Sequence, residues 1–352
     1  MKTILIAALN FRVQQLPHLL ANYNLCKELG MRPILLINKR SVDFVKGLDV
    51  EYITELKSDI SYHYAIFWFP AVKNIFLFYK LKIKNKTKLL YVFHEPFESF
   101  KTYLNSGNTF KWTLFFYIKY LVNLFIILWP NKIILPSQKA IFNYKKSIAV
   151  FLNKNYVYMP LLYDDFYKVT DKKKRIYISY IGNVCKDHAF DEYVNFIWWY
   201  YKNNLGKGDY KFLIATRKVL PKDERIIILK DSGFLDVKEG SFMTDNEINY
   251  YYSHSLVVWN AYNRSTQSGV LANAFMNATP AIIMRRNISE FVRDGDNVKA
   301  IEDNKDPIII NSAIEDIIKN FEHYSDCARL SFIQFFYYKS QLSVFSKIIN
   351  SL

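Results

Sequence analysis

The sequence predicts an α/β protein built on parallel β-sheets, in a chain long enough for two domains. Short apolar runs of strand length alternate with segments whose apolar residues keep helical spacing. Two of these runs, residues 64–69 and 89–93, are apolar throughout, as expected for strands buried on both faces. The 352 residues, of which 51% are hydrophobic, suffice to bury a core in each of two domains. The repeated order of strand, helix and strand predicts parallel strands joined by crossover helices.

The predicted elements of the first half follow in order. Residues 4–9 are predicted to form a first strand rather than a signal peptide, because the apolar stretch is short and no small-residue cleavage site follows. Pro17 lies in the first turn of a helix that keeps its apolar spacing until Gly30, a suitable C-terminal cap. The next predicted strands are residues 34–37, 64–69, 89–93 and 132–135.

Two features between these strands suggest a membrane surface. Residues 80–88 alternate lysine with other residues, and anionic headgroups attract such clusters by roughly 1 kcal/mol per basic residue. A solvated loop explains the same pattern. Residues 112–129 are almost wholly apolar, with Lys119 and Asn123 as a narrow polar stripe.

Residues 112–129 have three interpretations. A spanning helix needs ~20 apolar residues, so 18 with a central lysine are borderline. A buried crossover helix is seldom apolar on nearly every face. A helix lying in the interface, with a tryptophan at each end, suits the composition and the neighbouring lysines. Because residues 132–135 must return to the same sheet, we predict a peripheral, membrane-associating helix near 110–129.

Composition restricts the compartment and the partners. Three scattered cysteines fit a reducing compartment without a disulfide framework, so we expect a cytoplasmic protein. The net charge of +15 admits nucleic acid, anionic lipid or a phosphorylated substrate, and codon bias explains abundant lysine equally well. The sequence has no nucleic-acid-binding module, no zinc-type Cys and His spacing and no Gly-rich phosphate loop ending in Lys-Ser or Lys-Thr. We therefore expect no nucleic acid as a partner.

The second half begins after a charged link at residues 161–175. A strand at 176–181 ends in Gly182-Asn183, with Lys186 shortly after, and a strand at 211–215 runs into Arg217. A lysine binds phosphate as a point charge and an arginine through its planar fork. A merely solvated surface lysine is the alternative for Lys186.

A third strand-loop-helix unit follows at residues 259–284. A buried strand ends near Asn260, a helix spans 269–277, and a second strand spans 281–284. The start of that helix, at Ser268 and Gly269, offers unpaired N–H groups and a positive dipole end, which favour an anionic ligand. An ordinary crossover has the same pattern.

Residues 259–297 resemble the donor-site signature of glycosyltransferase family 4, retaining enzymes of the two-domain GT-B fold. Ala-Thr-Pro at 278–280 aligns with the family's Gly-Thr-Pro, and Ser-Glu-Phe-Val-Arg-Asp-Gly-Asp-Asn at 289–297 aligns with its final Pro-Glu-Ile-Val-x-Asp-Gly-x-Asn. Three departures stand out. The family's second domain opens with Gly-Arg and then a Lys that faces the donor's diphosphate, whereas Asn183 replaces that Arg here and Lys186 does not keep the usual spacing. The family's two glutamates fall on Ser265 and Asn273, and the Gly pair of its first loop is replaced by Ala-Leu-Asn-Phe at 8–11.

The resemblance implies two Rossmann-like domains with a cleft between them and a C-terminal helix that crosses back. The implied domains are an acceptor-binding domain at 1–165, a nucleotide-sugar-binding domain at 166–325, and a returning helix at 326–352. It further implies catalysis without a metal or other cofactor, the nucleotide-diphosphate sugar being a co-substrate. The spacing of Asp294 and Asp296 is that of a metal-binding Asp-x-Asp, but the resemblance explains it as a turn.

The resemblance also implies the site residues. Lys186, Arg217 and the N–H groups at 268–270 would stabilise the leaving nucleotide, and the loop before residue 244 would hold the base. Thr266, Gln267 and Asn273 would contact the donor sugar. The full donor-binding set comprises Gly182, Asn183, Lys186, Arg217, Phe242, Met243, Thr266, Gln267, Ser268, Gly269, Val270, Asn273 and Glu290.

The first domain is expected to supply His94 and Glu95. They follow the strand at 89–93 directly, and ligands of parallel sheets lie beyond the carboxyl ends of the strands. A structural hydrogen bond is the alternative for His94, but its position resembles that of the family's His that faces the donor sugar. We predict His94 and Glu95 as catalytic, with Asn10 and Glu98 contacting the acceptor.

The predicted function is transfer of a sugar from a nucleotide-diphosphate sugar to a lipid-linked or polysaccharide acceptor. The resemblance implies a retaining hexosyltransferase of O-antigen, capsule or lipopolysaccharide assembly, peripheral to the cytoplasmic face of the inner membrane. Its partners would be a nucleotide sugar, a lipid-linked or oligosaccharide acceptor and an anionic membrane surface. The alternatives are a non-catalytic GT-B partner subunit, since both glutamates are absent, and a nucleotide-sugar epimerase.

Overall fold

The protein is described by a computed structural model. The model describes residues 1–9, 15–68, 72–93, 100–105, 109–204, 210–241, 243–264 and 269–352. These divide into two compact units: unit 1, residues 1–164 with 335–352, and unit 2, residues 165–334. Each unit contains one sheet whose strand pairs are parallel, so the α/β prediction is confirmed.

Unit 1 has a seven-stranded sheet. Its strands are β1 Thr3–Ala8, β2 Arg32–Ile37, β3 Tyr52–Ile53, β4 Tyr64–Trp68, β5 Lys88–Val92, β6 Lys132–Leu135 and β7 Tyr156–Tyr158. They lie in the order β3-β2-β1-β4-β5-β6-β7. All six residues of β1 and all five of β4 are buried, which explains why both strands are almost wholly apolar, with Thr3 as the polar residue of β1. The strand order reverses between β1 and β4, where open α/β sheets bind ligands.

The helices of unit 1 flank this sheet. They are α1 Leu16–Glu28, α2 Val72–Tyr79, α3 Phe100–Asn105, α4 Phe110–Ile127, α5 Gln138–Lys146, α6 Ala149–Leu152 and α13 Leu342–Asn350. The predicted cap at Gly30 is confirmed, because this glycine has a φ of 69° just beyond the end of α1. A π-helical segment, Lys80–Lys84, continues α2 through the predicted lysine cluster.

Helix α4 is long and apolar enough to cross a membrane by length and composition. Thr109 caps its start by accepting the N–H of Trp112. Asn123 is buried and accepts a hydrogen bond from the hydroxyl of Tyr91 in β5, 3.1 Å away. The part of the predicted polar stripe at Asn123 therefore faces the core, and large apolar side chains face outward. The exposed ones include Trp112, Leu114, Phe115, Ile118, Leu121 and Phe125.

Unit 2 has a six-stranded sheet in the order β10-β9-β8-β11-β12-β13. Its strands are β8 Tyr177–Ile181, β9 Lys211–Ala215, β10 Leu235–Lys238, β11 Ser255–Asn260, β12 Ala281–Met284 and β13 Val298–Ile301. Its helices are α7 Phe190–Asn203, α8 Glu224–Asp231, α9 Asp245–Ser253, α10 Gly269–Met276, α11 Pro307–Lys319 and α12 Phe321–Ser331. The predicted capping box of α9 is confirmed, with Thr244 and Glu247 bonding reciprocally.

Arg175, at the entry to unit 2, is 5% exposed and holds several of its elements together. Its guanidinium donates to the carbonyl of Ser255 at 2.9 Å, the carbonyl of Asn277 at 2.8 Å and the hydroxyl of Thr279 at 2.8 Å. Thr279 in turn donates to the carbonyl of Tyr252 at 2.7 Å. The entry strand, the ends of α9 and α10 and the start of β11 thus meet at one buried cation.

The end of the chain differs from the single returning helix that was predicted at 326–352. Helix α12 ends at Ser331 and belongs to unit 2. A π-helical segment, Phe332–Phe336, and a 3-10 turn, Tyr338–Gln341, precede α13. Residues 335–352 belong to unit 1.

We predict that Arg175→Met lowers the free energy of unfolding by roughly 3–5 kcal/mol, since it leaves two carbonyls and a hydroxyl buried without their charged donor. Urea unfolding followed by circular dichroism measures this. The neighbouring Lys174 is exposed, and Lys174→Met is expected to stay within ~0.5 kcal/mol of the wild type. Equal costs for the two variants would contradict a central role for Arg175.

Candidate functional site

The carboxyl ends of the unit 2 strands meet at one edge of its sheet, called the carboxyl edge here. The loops after β8, β9 and β11 leave the sheet there, and α10 begins at Gly269 beyond the β11 loop. The β8 and β9 loops hold Gly182, Asn183, Lys186 and Arg217 of the predicted donor site, and Met243 lies in the loop after β10. In parallel sheets this edge is where ligands bind.

Gly182 brings the β8 loop close to the start of α10. Its φ is 142°, a conformation that L side chains rarely adopt, and its amide donates to the carbonyl of Ala215 at 2.9 Å. A Cβ built on Gly182 would lie 3.5 Å from the side chain of Val270. The structure therefore brings together Gly182 and Val270, two predicted site residues far apart in sequence.

A stacked pair of rings, one from the β8 loop and one from the β11 loop, fixes the β8 loop. The imidazole of His188 stacks on the ring of Tyr262, with centroids 4.2 Å apart and planes 4° from parallel. The Nδ1 atom of His188 lies 3.1 Å from the carbonyl oxygen of Asn183, and the indole N–H of Trp259 donates to the His188 carbonyl at 3.4 Å. Asn183 and Lys186 are exposed on this fixed loop.

Asn263 joins the β11 loop to the β8 loop. Its amide N–H donates to the carbonyl of Asp187 at 2.9 Å, and its side chain donates to the carbonyl of Lys186 at 2.8 Å. Arg264 pairs with the Asp187 carboxylate at 3.5 Å. Asn304, beyond β13, donates to the Ala261 carbonyl at 2.7 Å. The backbone that carries Lys186 is thus held by the β11 loop, which Asn304 holds in turn.

This network was not predicted from the sequence, and neither was the contact of Lys218 with Val184. A signal was present, because Asn263 and Asn304 each follow an apolar strand by a few residues, at the edge where ligands of parallel sheets bind. Lys218, next to the predicted Arg217, is exposed, and its amino group donates to the carbonyl of Val184 at 3.3 Å, which adds a cation to the β8 loop.

Arg217 is half-buried at the end of β9. Burial lowers the pKa of its guanidinium, and the carboxylate of Asp245 opposes that shift. Burial raises the pKa of the Asp245 carboxyl, and the charge of Arg217 opposes that shift. An arginine remains charged despite such a shift, so Arg217 is a partly desolvated cation beside one acid.

The other described site residues make more local contacts. The side chain of Asn273 donates to the Gly269 carbonyl within α10 at 2.9 Å. Met243 is 3% exposed, so its thioether is buried. Glu290 is half-buried after β12.

The remaining predicted residues lie outside the described part of the chain. They are Asn10, His94, Glu95, Glu98, Phe242, Thr266, Gln267 and Ser268, together with Ser265. Within the described residues, the β8, β9 and β11 loops carry five cations, at Lys186, Arg217, Lys218, Lys222 and Arg264, and the first turn of α10 adds its N–H groups. Such an arrangement can bind a diphosphate.

Comparison with solved structures identifies the fold. HepE from Anabaena, solved in complex with UDP-glucose, superposes with a TM-score of 0.67 at 9% identity and covers 100% of both chains. Sucrose-phosphate synthase from Thermosynechococcus elongatus reaches 0.70 at 11% identity, covering 100% of this chain and 99% of its own. A glycosyltransferase from Rickettsia africae reaches 0.70 at 13%, covering 99% and 98%.

The fold is that of the two-domain GT-B glycosyltransferases. The GT-B prediction is therefore confirmed. No family model and no curated protein matches the sequence. Membership of glycosyltransferase family 4 stays a prediction.

The state of His188 gives the β8 loop a pH dependence. Burial lowers the pKa of His188 below its ordinary 6.5, while Asp187 opposes the shift. Below about pH 6.5 the unfolded chain takes up a proton that the folded loop resists, so stability should fall as the pH drops from about 7 to 5. Urea unfolding at several pH values measures this.

Two substitutions isolate the contribution of His188. His188→Asn and His188→Phe both remove the titrating group, and only Phe keeps an aromatic ring against Tyr262. Both should show a shallower loss of stability on acidification than the wild type, whatever their absolute stabilities. A wild-type slope in both variants would show that His188 does not titrate in this range.

Proposed function

We propose that this protein is a glycosyltransferase that moves a sugar from a nucleotide-diphosphate sugar to a lipid-linked or polysaccharide acceptor in cell-surface glycan synthesis. The carrying observation is the set of cations at the carboxyl edge of unit 2, beside the start of α10, in a GT-B fold. The UDP-glucose complex of HepE favours UDP as the nucleotide. O-antigen, capsule and lipopolysaccharide are the glycans proposed.

The proposed chemistry uses the protein's own charges. As the bond to the donor sugar breaks, negative charge grows on the diphosphate that leaves, and Lys186 and Arg217 stabilise it together with the first N–H groups of α10. Because the hydrogen bonds of Asn263 fix the loop beneath Lys186, little reorganisation accompanies the reaction. We propose retention of configuration and no metal or other cofactor, with His94 and Glu95 facing the sugar and Asn10 and Glu98 the acceptor.

Calorimetric titration of the full chain with UDP, GDP, CMP and their sugars tests the donor site. One nucleotide diphosphate is expected to bind, and Lys186→Ala or Arg217→Ala should weaken it by about tenfold to a hundredfold, the loss of one charged hydrogen bond. Lys230→Ala, at an exposed lysine in the last turn of α8, serves as the control and should bind as the wild type does. No binding by the folded protein, with lipid present, would overturn the proposal.

A second candidate is a GT-B subunit that binds a nucleotide sugar without transferring it. Its support is the loss of the family's glutamates, with Asn273 instead bonding to its own helix at Gly269. Product analysis with lipid acceptors supplied distinguishes the two candidates. A nucleotide sugar that binds tightly but is never cleaved into nucleotide and sugar indicates the non-catalytic subunit.

We further propose that unit 1 binds an anionic membrane surface at the cytoplasmic face of the inner membrane. The outward face of α4 lies beside α2 and α6, which add exposed Phe76 and Phe151. Lys80 follows α2 directly, and Lys145 and Lys146 end α5 shortly before α6; all three lysines are exposed. Apolar side chains flanked by lysines favour the interface of an anionic bilayer. The lysine cluster also has a structural part, because Lys82 donates to the Trp129 carbonyl beyond the end of α4.

Co-flotation with vesicles containing anionic phospholipid measures this association. Phe125→Asp and Phe151→Asp should each lower the partition constant for the vesicles by at least about tenfold. Each variant loses an aromatic side chain that would insert into the bilayer and gains a negative charge, which the anionic headgroups repel. Val219→Asp alters an equally exposed apolar residue of unit 2 and should leave flotation unchanged. Equal loss in all three variants would place the membrane contact elsewhere.

A further inference from the structure

Three potential metal ligands converge in unit 2 away from the proposed donor site. They are Asp296, in the turn before β13, and His323 and Cys327 of α12, whose ligand atoms all lie within 4.8 Å of one another. The Nε2 atom of His323 is 3.0 Å from a carboxylate oxygen of Asp296. The sulfur of Cys327 is 4.0 Å from the His323 ring nitrogens.

Local structure holds the backbone of all three residues. His323 and Cys327 are four residues apart in α12, which places them on one face, one turn from each other. The turn of Asp296 is held by Asn297, which is fully buried and donates to the Phe291 carbonyl at 2.9 Å and to the Ser331 hydroxyl at 2.8 Å. Ser331 donates to the Cys327 carbonyl at 2.8 Å, so turn and helix share one network.

The donor set selects a class of metal. A thiolate, an imidazole and a carboxylate are ligands of Zn²⁺, at about 2.0–2.3 Å each in a tetrahedral site. Neighbouring ligand atoms of such a site are then about 3.5 Å apart, and the distances of 3.0 and 4.0 Å lie on either side of this value. Mg²⁺ and Ca²⁺ prefer oxygen ligands and do not suit this set.

The cluster is remote from the proposed sugar chemistry. Asp296 precedes β13, so it lies at the amino edge of the unit 2 sheet, whereas the cationic loops lie at the carboxyl edge. His323 is exposed and Asp296 is half-exposed, which leaves the sites open to an ion from solvent.

We propose that Asp296, His323 and Cys327 bind one Zn²⁺ ion, with water completing the tetrahedron, and that the ion ties α12 to the turn before β13. The site is structural, and the proposed glycosyl transfer does not pass through it. This inference is independent of the proposed function.

Titration of the full-length, metal-stripped protein with Co²⁺, a spectroscopic substitute for Zn²⁺, tests the site. One equivalent should produce a sulfur-to-cobalt charge-transfer band in the near ultraviolet, and added Zn²⁺ should abolish it. Cys327→Ser should eliminate the band, and His323→Ala or Asp296→Ala should weaken Co²⁺ binding at least about tenfold. Thermal unfolding should shift upward with Zn²⁺ in the wild type and not in Cys327→Ser.

Cys185→Ser is the matched control, because Cys185 is a second half-buried thiol of unit 2. This variant should keep both the band and the thermal shift. Absence of a band in the wild type, its survival in Cys327→Ser, or its loss in Cys185→Ser would each overturn the proposal. Nucleotide binding need not change in any of these outcomes, so failure here and failure of the proposed function are distinguishable.

Discussion

Unit 2 depends on the buried guanidinium of Arg175. Burial lowers its pKa to about 10, and its desolvation is offset by three hydrogen bonds and by the ring of Phe321, 5.4 Å from the guanidinium carbon. Since one of these bonds ends on the Asn277 carbonyl at the end of α10, the cation complements that helix dipole. It fixes the far end of the helix whose start faces the proposed diphosphate.

The residues that carry the family resemblance have a structural purpose. Thr279 is fully buried between Arg175 and the Tyr252 carbonyl, and Asn297 is fully buried between its own turn and α12. Ala278, where the family has glycine, adopts a φ of 54°, a conformation that glycine adopts more easily. These three residues therefore stabilise the fold of unit 2, and the proposed chemistry rests on other residues, in the loops at the carboxyl edge of the sheet.

In those loops, uncharged side chains make many of the contacts that fix the backbone. Hydrogen bonds of Asn263 and Asn304 and the stacked pair of His188 and Tyr262 fix the backbone, and the cations Lys218 and Arg264 add contacts to Val184 and Asp187. In unit 1 the usual placement of polar and apolar residues is reversed on α4, which turns Asn123 toward the core and large apolar residues outward. Unit 2 thus exposes cations that suit the proposed diphosphate, and unit 1 exposes apolar side chains that suit the proposed membrane surface.

The sequence by itself determined the alternation of strands and helices, the parallel sheets, the cap at Gly30 and the capping box of α9. These follow from local spacing and from side chains a few residues apart. Only the tertiary structure decided which polar residues serve the core. Arg175, Asn123 and Asn263 have the same local appearance as solvated residues, and their partners lie on distant strands or helices. The cluster of Asp296 with His323 and Cys327 was likewise invisible in sequence, because 27 residues separate the aspartate from the histidine.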